Sequence, residues 1–300
     1  MSTWPNFFVI GAHKAGTTSL YYQLKQHPEI FMSRIKEPKF FALEGHALDF
    51  KGPYDERIRR GTTTDLVDYL GLFEQVREEK SIGEMSTIYL SDLRAPGAIA
   101  HRVPDARIVA ILRHPAERAF SAFQHLLREG YEPLPSFEEA LDAEPQRAAD
   151  GWYAQYHYMG RGLYGRHLQR YFDRFNPARI RIYLYEDFVE KPRWLLADLF
   201  GFLGVNTGFR PDISARHNVS GRARSARLQR WLTRPHPLKE ALKTWIPEHW
   251  GHRAISWVQP FNVVRAELNP GTRRRLIDVY RDDIESLQVL IGRDLSHWLA

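Results

Sequence analysis

The chain has 300 residues, no cysteine, and 42 Lys and Arg against 36 Asp and Glu, which leaves a formal charge of +6. That length suits one large or two small domains, and the missing cysteines exclude disulfides, thiolate zinc sites and a cysteine nucleophile. Hydrophobic content of 43% with 26% charged residues excludes bulk disorder, and no stretch nears the ~20 apolar residues of a membrane span.

Phe7-Phe8-Val9-Ile10 is a continuous apolar run closed by Gly11 and predicts a buried parallel strand. The spacing of Leu20, Tyr21 and Leu24 predicts a helix from Thr18 that stops near His27-Pro28, because proline disfavours helical geometry in the residue before it. Arg107–Leu112 predicts a second buried strand, broken at Arg113-His114-Pro115 and followed by a helix through Phe120, Phe123 and Leu127. Ser136 with Glu139 three residues on is a capping-box signal for a helix over 137–149. Ile180–Leu184 predicts another strand, and Leu195, Leu196, Leu199, Phe202 and Leu203 a helix ending near Gly204. Leu276, Val279, Tyr280, Ile284, Leu287 and Ile291 predict one face of a last helix over 272–291.

Strands alternating with helices predict an α/β class, a P-loop-like three-layer fold with a central parallel sheet flanked by helices. One domain over 1–300 is expected. Within it, Pro211, Pro235, Pro237, Pro247 and Pro260 mark 205–270 as an irregular or helical insert or lid. Met1-Ser2-Thr3-Trp4-Pro5 lacks a basic, apolar leader, so a cytoplasmic setting is expected.

Gly11-Ala12-His13-Lys14-Ala15-Gly16-Thr17-Thr18 lies between the first strand and the first helix. Main-chain N–H groups at a helix start attract an anion, and Gly11 and Gly16 let the backbone approach it. Lys14 adds charge, and Thr17 and Thr18 add hydroxyls. The loop nearly meets the nucleoside-triphosphate pattern G-x-x-x-x-G-K-[ST], but Thr17 stands where the lysine belongs. The strand 107–112 runs into Arg113 where a metal-binding Asp would often stand. On these residues a nucleotide kinase or NTPase, and a turn without ligand, both remain open.

Arg34-Ile35-Lys36-Glu37-Pro38-Lys39-Phe40-Phe41 is the second informative stretch. Pro38 predicts an extended conformation for Glu37. A carboxylate between two ammonium groups stays ionised, and a positioned carboxylate can act as general base. Lys36 is expected at the surface.

Lys14-Ala15-Gly16-Thr17-Thr18-Ser19-Leu20 after an apolar strand resembles the 5′-phosphosulfate loop of sulfotransferases that use 3′-phosphoadenylyl sulfate (PAPS). Arg113-His114-Pro115 with Arg118, Ala119 and Ser121 resembles that family's 3′-phosphate motif. Tyr185-Glu186-Asp187, Phe202-Leu203-Gly204 and Leu290-Ile291-Gly292-Arg293-Asp294-Leu295 follow in family order. Glu37, separated by Pro38 and Lys39 from the Phe40-Phe41 pair, is similar to the base of the heparan sulfate type.

The resemblance implies transfer of a sulfuryl group from PAPS to a hydroxyl, with a glycan or glycoconjugate as acceptor and no obligatory metal. It implies Glu37 as base, with Lys14 and Lys39 on the transferring group. It assigns the donor to Lys14, Ala15, Gly16, Thr17, Thr18, Ser19, Arg113 and Ser121. Arg222 and Arg224 join them, in a basic loop that begins at His217. His114 is read as shaping the Arg113 turn. Glu84 and Ser86 in Gly83–Leu90 are acceptor candidates, against a competing reading of a strand end with a satisfied carboxylate. Trp152, with Tyr153, Tyr156 and Tyr158, is a candidate sugar-stacking wall or simply core. The surplus charge sits in 210–235, where seven arginines face Asp212 alone. That concentration argues for a polyanionic ligand over a diffuse nucleic-acid surface.

Overall fold

A computed structural model describes residues 3–214 and 267–300, with the backbone of a short antiparallel pair, Arg222–Ala223 against Val263–Val264. Most of 205–270 therefore lies outside the described residues. Through the first half the elements run β1 (Phe7–Gly11), α1 (Thr17–Leu24), β2 (Ile30–Met32), α2 (Phe40–Leu43), α3 (Asp55–Arg60), α4 (Leu66–Gly71), β3 (Ser81–Met85) and α5 (Ala95–Arg102). They continue as β4 (Arg107–Leu112), α6 (Pro115–Glu129), α7 (Phe137–Asp142), α8 (Glu144–Ala149), α9 (Tyr164–Phe172), β5 (Ile180–Leu184), α10 (Tyr185–Glu190), α11 (Pro192–Leu203) and α12 (Pro270–Ile291).

Five parallel strands stand in the order β2-β3-β1-β4-β5, and helices flank the sheet. Every residue of β1 is buried, as its unbroken apolar run requires of a strand covered on both faces. Phe7 pairs with Gly83 of β3 on one side and Arg107 of β4 on the other. Gly83 is the residue that fits there: a Cβ on it would stand 2.1 Å from the Phe7 ring.

This strand order fixes where the site is. The chain starts in the middle of the sheet, lays β2 at one edge, returns to place β3 between β2 and β1, and then crosses β1 to lay down β4 and β5. The loops after β1, β3 and β4 leave the same carboxyl edge side by side, and the loop after β2 joins them. This switch point is where open α/β sheets bind ligands.

The expected helix over 137–149 is two helices. Ala143 ends α7 and begins α8, because Pro145 has no N–H to continue the ladder across that turn. Ser136 does cap α7, accepting from Glu139 N at 3.4 Å, while its hydroxyl donates to Glu138 rather than receiving help from Glu139. On α12, Val279 is 49% exposed and Ile277 is buried in its place, so the apolar stripe is turned by part of a residue. That helix docks on α9 through Asp283, which accepts from Gly165 N at 2.8 Å and Arg166 N at 2.9 Å. Among the described residues no helix is long and apolar enough to cross a membrane.

Candidate active site

The β1–α1 loop is pinned at its base by Ala12 N donating to Ile111 O of β4 at 2.7 Å. Lys14 follows with φ 69° and Gly16 with φ 85°, so the chain turns sharply into α1. Gly16 is required twice over. Its φ is left-handed, and a Cβ there would lie 3.0 Å from Phe188 and 3.3 Å from Tyr185 of α10. Gly16 brings no side-chain cap to the first turn of α1, where the N–H groups of Thr17, Thr18 and Ser19 have no helical acceptor.

Arg113, at the end of β4, comes to this loop. Its Nη1 is 3.4 Å from Lys14 O, its guanidinium lies 5.2 Å from the Tyr185 ring centroid, and Glu117 is 3.6 Å from Nη2. Tyr164 fixes the Arg113 backbone by donating to its carbonyl at 3.0 Å. His114 caps α6, its Nδ1 accepting from Ala116 N at 3.2 Å. Ser121 is buried two turns along the same helix. Of the other donor candidates, Arg224 lies outside the described residues, as does the Arg222 side chain.

Cations crowd this edge, with Glu117 against Arg113 at 3.6 Å and Glu129 against Arg128 at 3.7 Å as carboxylate partners. Burial, then the nearby Arg128 and Arg113, bring the Lys14 ammonium down to about 7. Arg118 is 1% exposed, and its Nε and Nη1 have no hydrogen-bond partner; Nη2 donates to Tyr158 O. Burial, then Arg118, bring Arg161 down to about 10. His13 and His125 are held well below the ordinary imidazole value, chiefly by burial and then by neighbouring cations. The His13 Nδ1 is also buried without a partner. A depressed Lys14 ammonium beside orphaned guanidinium donors on buried Arg118 favours an anion at this edge. The donor set therefore fits a polyanion such as PAPS.

Glu37 sits on the loop after β2, beside the end of β3. Its N–H donates to Met85 O at 2.9 Å. Its carboxylate accepts from Lys36 Nζ at 3.0 Å and Thr87 Oγ1 at 2.9 Å on Oε1, and from Thr87 N at 2.8 Å on Oε2. Burial pushes this carboxyl up, but Lys36, Lys39 and the Thr87 N–H outweigh it and hold it below the ordinary carboxylate range. Lys36 is thus half-buried and paired, not a free surface charge. Lys39 Nζ donates to Glu37 O at 2.9 Å and Gly61 O at 2.8 Å, which uses two of its three N–H groups on the loop itself. Glu37 and Lys39 have φ of 65° and 61°, so Glu37 is left-handed and not extended as its place before Pro38 predicts; its N–H bond to Met85 O and the Thr87 donors on its carboxylate hold it there.

The acceptor candidates fall elsewhere. Glu84 is fully buried, raised to about 7 chiefly by that burial, and accepts on Oε2 from Tyr69 at 3.1 Å and Tyr89 at 2.8 Å. Tyr89 in turn accepts from Phe41 N at 3.1 Å, so Glu84 braces the loop from beneath and does not face an acceptor. Ser86 is also buried, and its Oγ accepts from Lys39 N at 2.9 Å. Trp152 packs over Gly52 and edge-on to Tyr156 at 4.8 Å, with Arg147 across its face. Tyr153, Tyr156 and Tyr158 are core. The residues that reasoning from sequence passed over are Thr87 and Arg161. Thr87 lay inside the Gly83–Leu90 segment, but only the β3–loop contact reveals its role.

The sulfotransferase family profile matches residues 5–209. The chain belongs to the sulfotransferase family. A sulfotransferase from Alicyclobacillus acidocaldarius is 32% identical, and its crystal structure matches with a TM-score of 0.80 over 99% of this chain and 100% of that one. Human bifunctional heparan sulfate N-deacetylase/N-sulfotransferase 3 is 31% identical over 204 residues, 67% of this chain and 22% of that protein. A membrane-associated sulfotransferase of Dictyostelium discoideum is 28% identical over 146 residues, 47% of this chain and 28% of its own length. This sulfotransferase chain spans about a fifth of the length of the human relative.

Proposed function

We propose that the protein transfers a sulfuryl group from PAPS to an acceptor hydroxyl on a glycan, with Glu37 as general base. The observation that carries this is the meeting, at one sheet edge, of a cation-rich anion site around Lys14 and Arg113 with the separately positioned Glu37 carboxylate. PAPS, when bound, supplies an activated sulfuryl group on a phosphate leaving group. The α1 N–H groups and Lys14 would hold that end. Arg113 and Ser121, with Arg222 and Arg224 assigned by motif, would hold the 3′-phosphate. Glu37 takes the proton of the attacking hydroxyl, an effect of about 10²–10⁴-fold for a positioned base. Lys14 places preorganised positive charge where negative charge develops, and the remaining N–H of Lys39 is assigned to the same group. Support for a glycan acceptor is the name of the human relative, a heparan sulfate N-sulfotransferase, which makes a sugar amine the second group to test.

The test pairs binding with transfer. Adenosine 3′,5′-bisphosphate in EDTA, at about 100 times its Kd, is expected to stabilise the protein by about 2.7 kcal/mol. Labelled sulfate should move from PAPS to desulfated heparan oligosaccharides. Glu37→Gln should keep the binding and lose the transfer. Stabilisation by Mg-ATP in place of the bisphosphate would replace this reading with a nucleotide kinase or NTPase.

A further inference from the structure

We propose that Thr87 is the positioning residue of the Glu37 carboxylate, and that it leaves Oε2 as the oxygen that takes the acceptor's proton. This rests on the reading of Glu37 as base. Thr87 grips one carboxylate with two donors, its main-chain N–H to Oε2 at 2.8 Å and its hydroxyl to Oε1 at 2.9 Å. Two donors on one residue fix the plane of the carboxylate, where a single donor would let it turn about its last bond. The main chain of Glu37 is tied to the same strand end through Met85 O at 2.9 Å. Residues 86 and 87 together hold the left-handed 37–39 turn, because Ser86 Oγ accepts from Lys39 N at 2.9 Å.

Thr87 is itself held from behind. Arg161 Nη2 donates to Thr87 O at 3.1 Å, and its Nη1 donates to Gln155. Both Thr87 and Arg161 are buried, so the clamp is packed and not a surface contact. The oxygens of Glu37 are then unequal. Oε1 receives Thr87 Oγ1 and Lys36 Nζ, and Oε2 receives only Thr87 N among the described partners. The oxygen with fewer donors keeps more of its lone-pair density, so Oε2 is the better proton acceptor.

The charged and titratable groups facing Glu37 are Lys36 and Lys39 on its own loop, Glu84 of β3, Tyr54 before α3, and Tyr153 and Arg161 before α9. Thr87→Val alters none of these. It keeps the shape and the N–H and removes only the hydroxyl donor; Thr87→Ser keeps the donor.

Two readouts are needed. One is the carbon-13 titration of the Glu37 carboxyl in ligand-free protein. The other is the pH profile of PAPS-dependent transfer to desulfated heparan oligosaccharides. For Thr87→Val the carboxyl should titrate at higher pH and the acid limb of kcat/KM should move with it. Turnover should fall about tenfold, as expected for a lost hydrogen bond to a charged group. Binding of adenosine 3′,5′-bisphosphate should stay as in the parent. Thr87→Ser should restore titration and turnover. A Thr87→Val protein that titrates and turns over like the parent, alongside an inactive Glu37→Gln, overturns the Thr87 role and leaves the base in place. Parent-like turnover by Glu37→Gln overturns the base, and this proposal with it.

Discussion

Lys14 carries its charge where charge is disfavoured. Burial and the neighbouring Arg128 and Arg113 bring its ammonium to about 7, so near pH 8 the ligand-free protein holds it mostly neutral. An anion against it favours the protonated form. Binding of adenosine 3′,5′-bisphosphate near pH 8 should therefore take up a proton, and affinity should fall as pH rises above about 7. Calorimetry in buffers of different ionisation enthalpy measures this directly. Lys14→Met should bind more weakly and lose the uptake. Uptake that persists in Lys14→Met would assign the proton to another group.

Helix α6 follows directly on Arg113 and His114 and carries Ser121 to the site, and its start depends on a neutral imidazole. His114 accepts from Ala116 N, and burial, then Arg273, hold it at about 4 against an ordinary 6.5. The folded state thus binds fewer protons than the unfolded chain between those values. Stability contributed by the neutral cap is present above pH 6.5 and is lost as pH falls toward 4, by up to about 3 kcal/mol. His114→Asn keeps a capping acceptor that does not titrate. Its denaturant midpoint should fall less between pH 6.5 and 4 than the parent's, and an unchanged acid slope would show that another buried group governs it.

The same elements show what sequence makes legible. The runs Phe7–Ile10 and Arg107–Leu112 announce strands because buried parallel strands need no polar alternation, and edge strand Ile180–Leu184 is legible from its apolar and branched residues despite the exposed Arg181. Lys14, Arg113 and Glu37 stand out because each follows a recognisable local signal. Three-residue β2 has too little pattern to read, and Pro145 splits a helix whose capping signal looks continuous. Glu84, Ser86 and Thr87 are neighbours in sequence with different fates: two brace the loop from below and one grips the base. That sorting depends on β3 lying between β2 and β1, a pairing over dozens of residues that no local pattern carries.

At the scale of the whole molecule, the sheet order gathers cations onto one edge, and the fold bears the expense. Lys14 moves from an ordinary 10.5 to about 7. Because the folded value is depressed, the penalty is full below pH 7 and fades as pH rises toward 10.5; it amounts to several kcal/mol. That is a large share of the roughly 5–15 kcal/mol that hold a domain folded. Lys14 also holds a left-handed backbone, which costs a side-chain-bearing residue about 1–2 kcal/mol. Glycine at this position would relieve both burdens. A mutant library of this gene, sorted once for cellular abundance and once for turnover, should therefore split at codon 14. Glycine should rise in the first sort and vanish from the second, so that selection for robustness alone would erode the loop that selection for chemistry maintains.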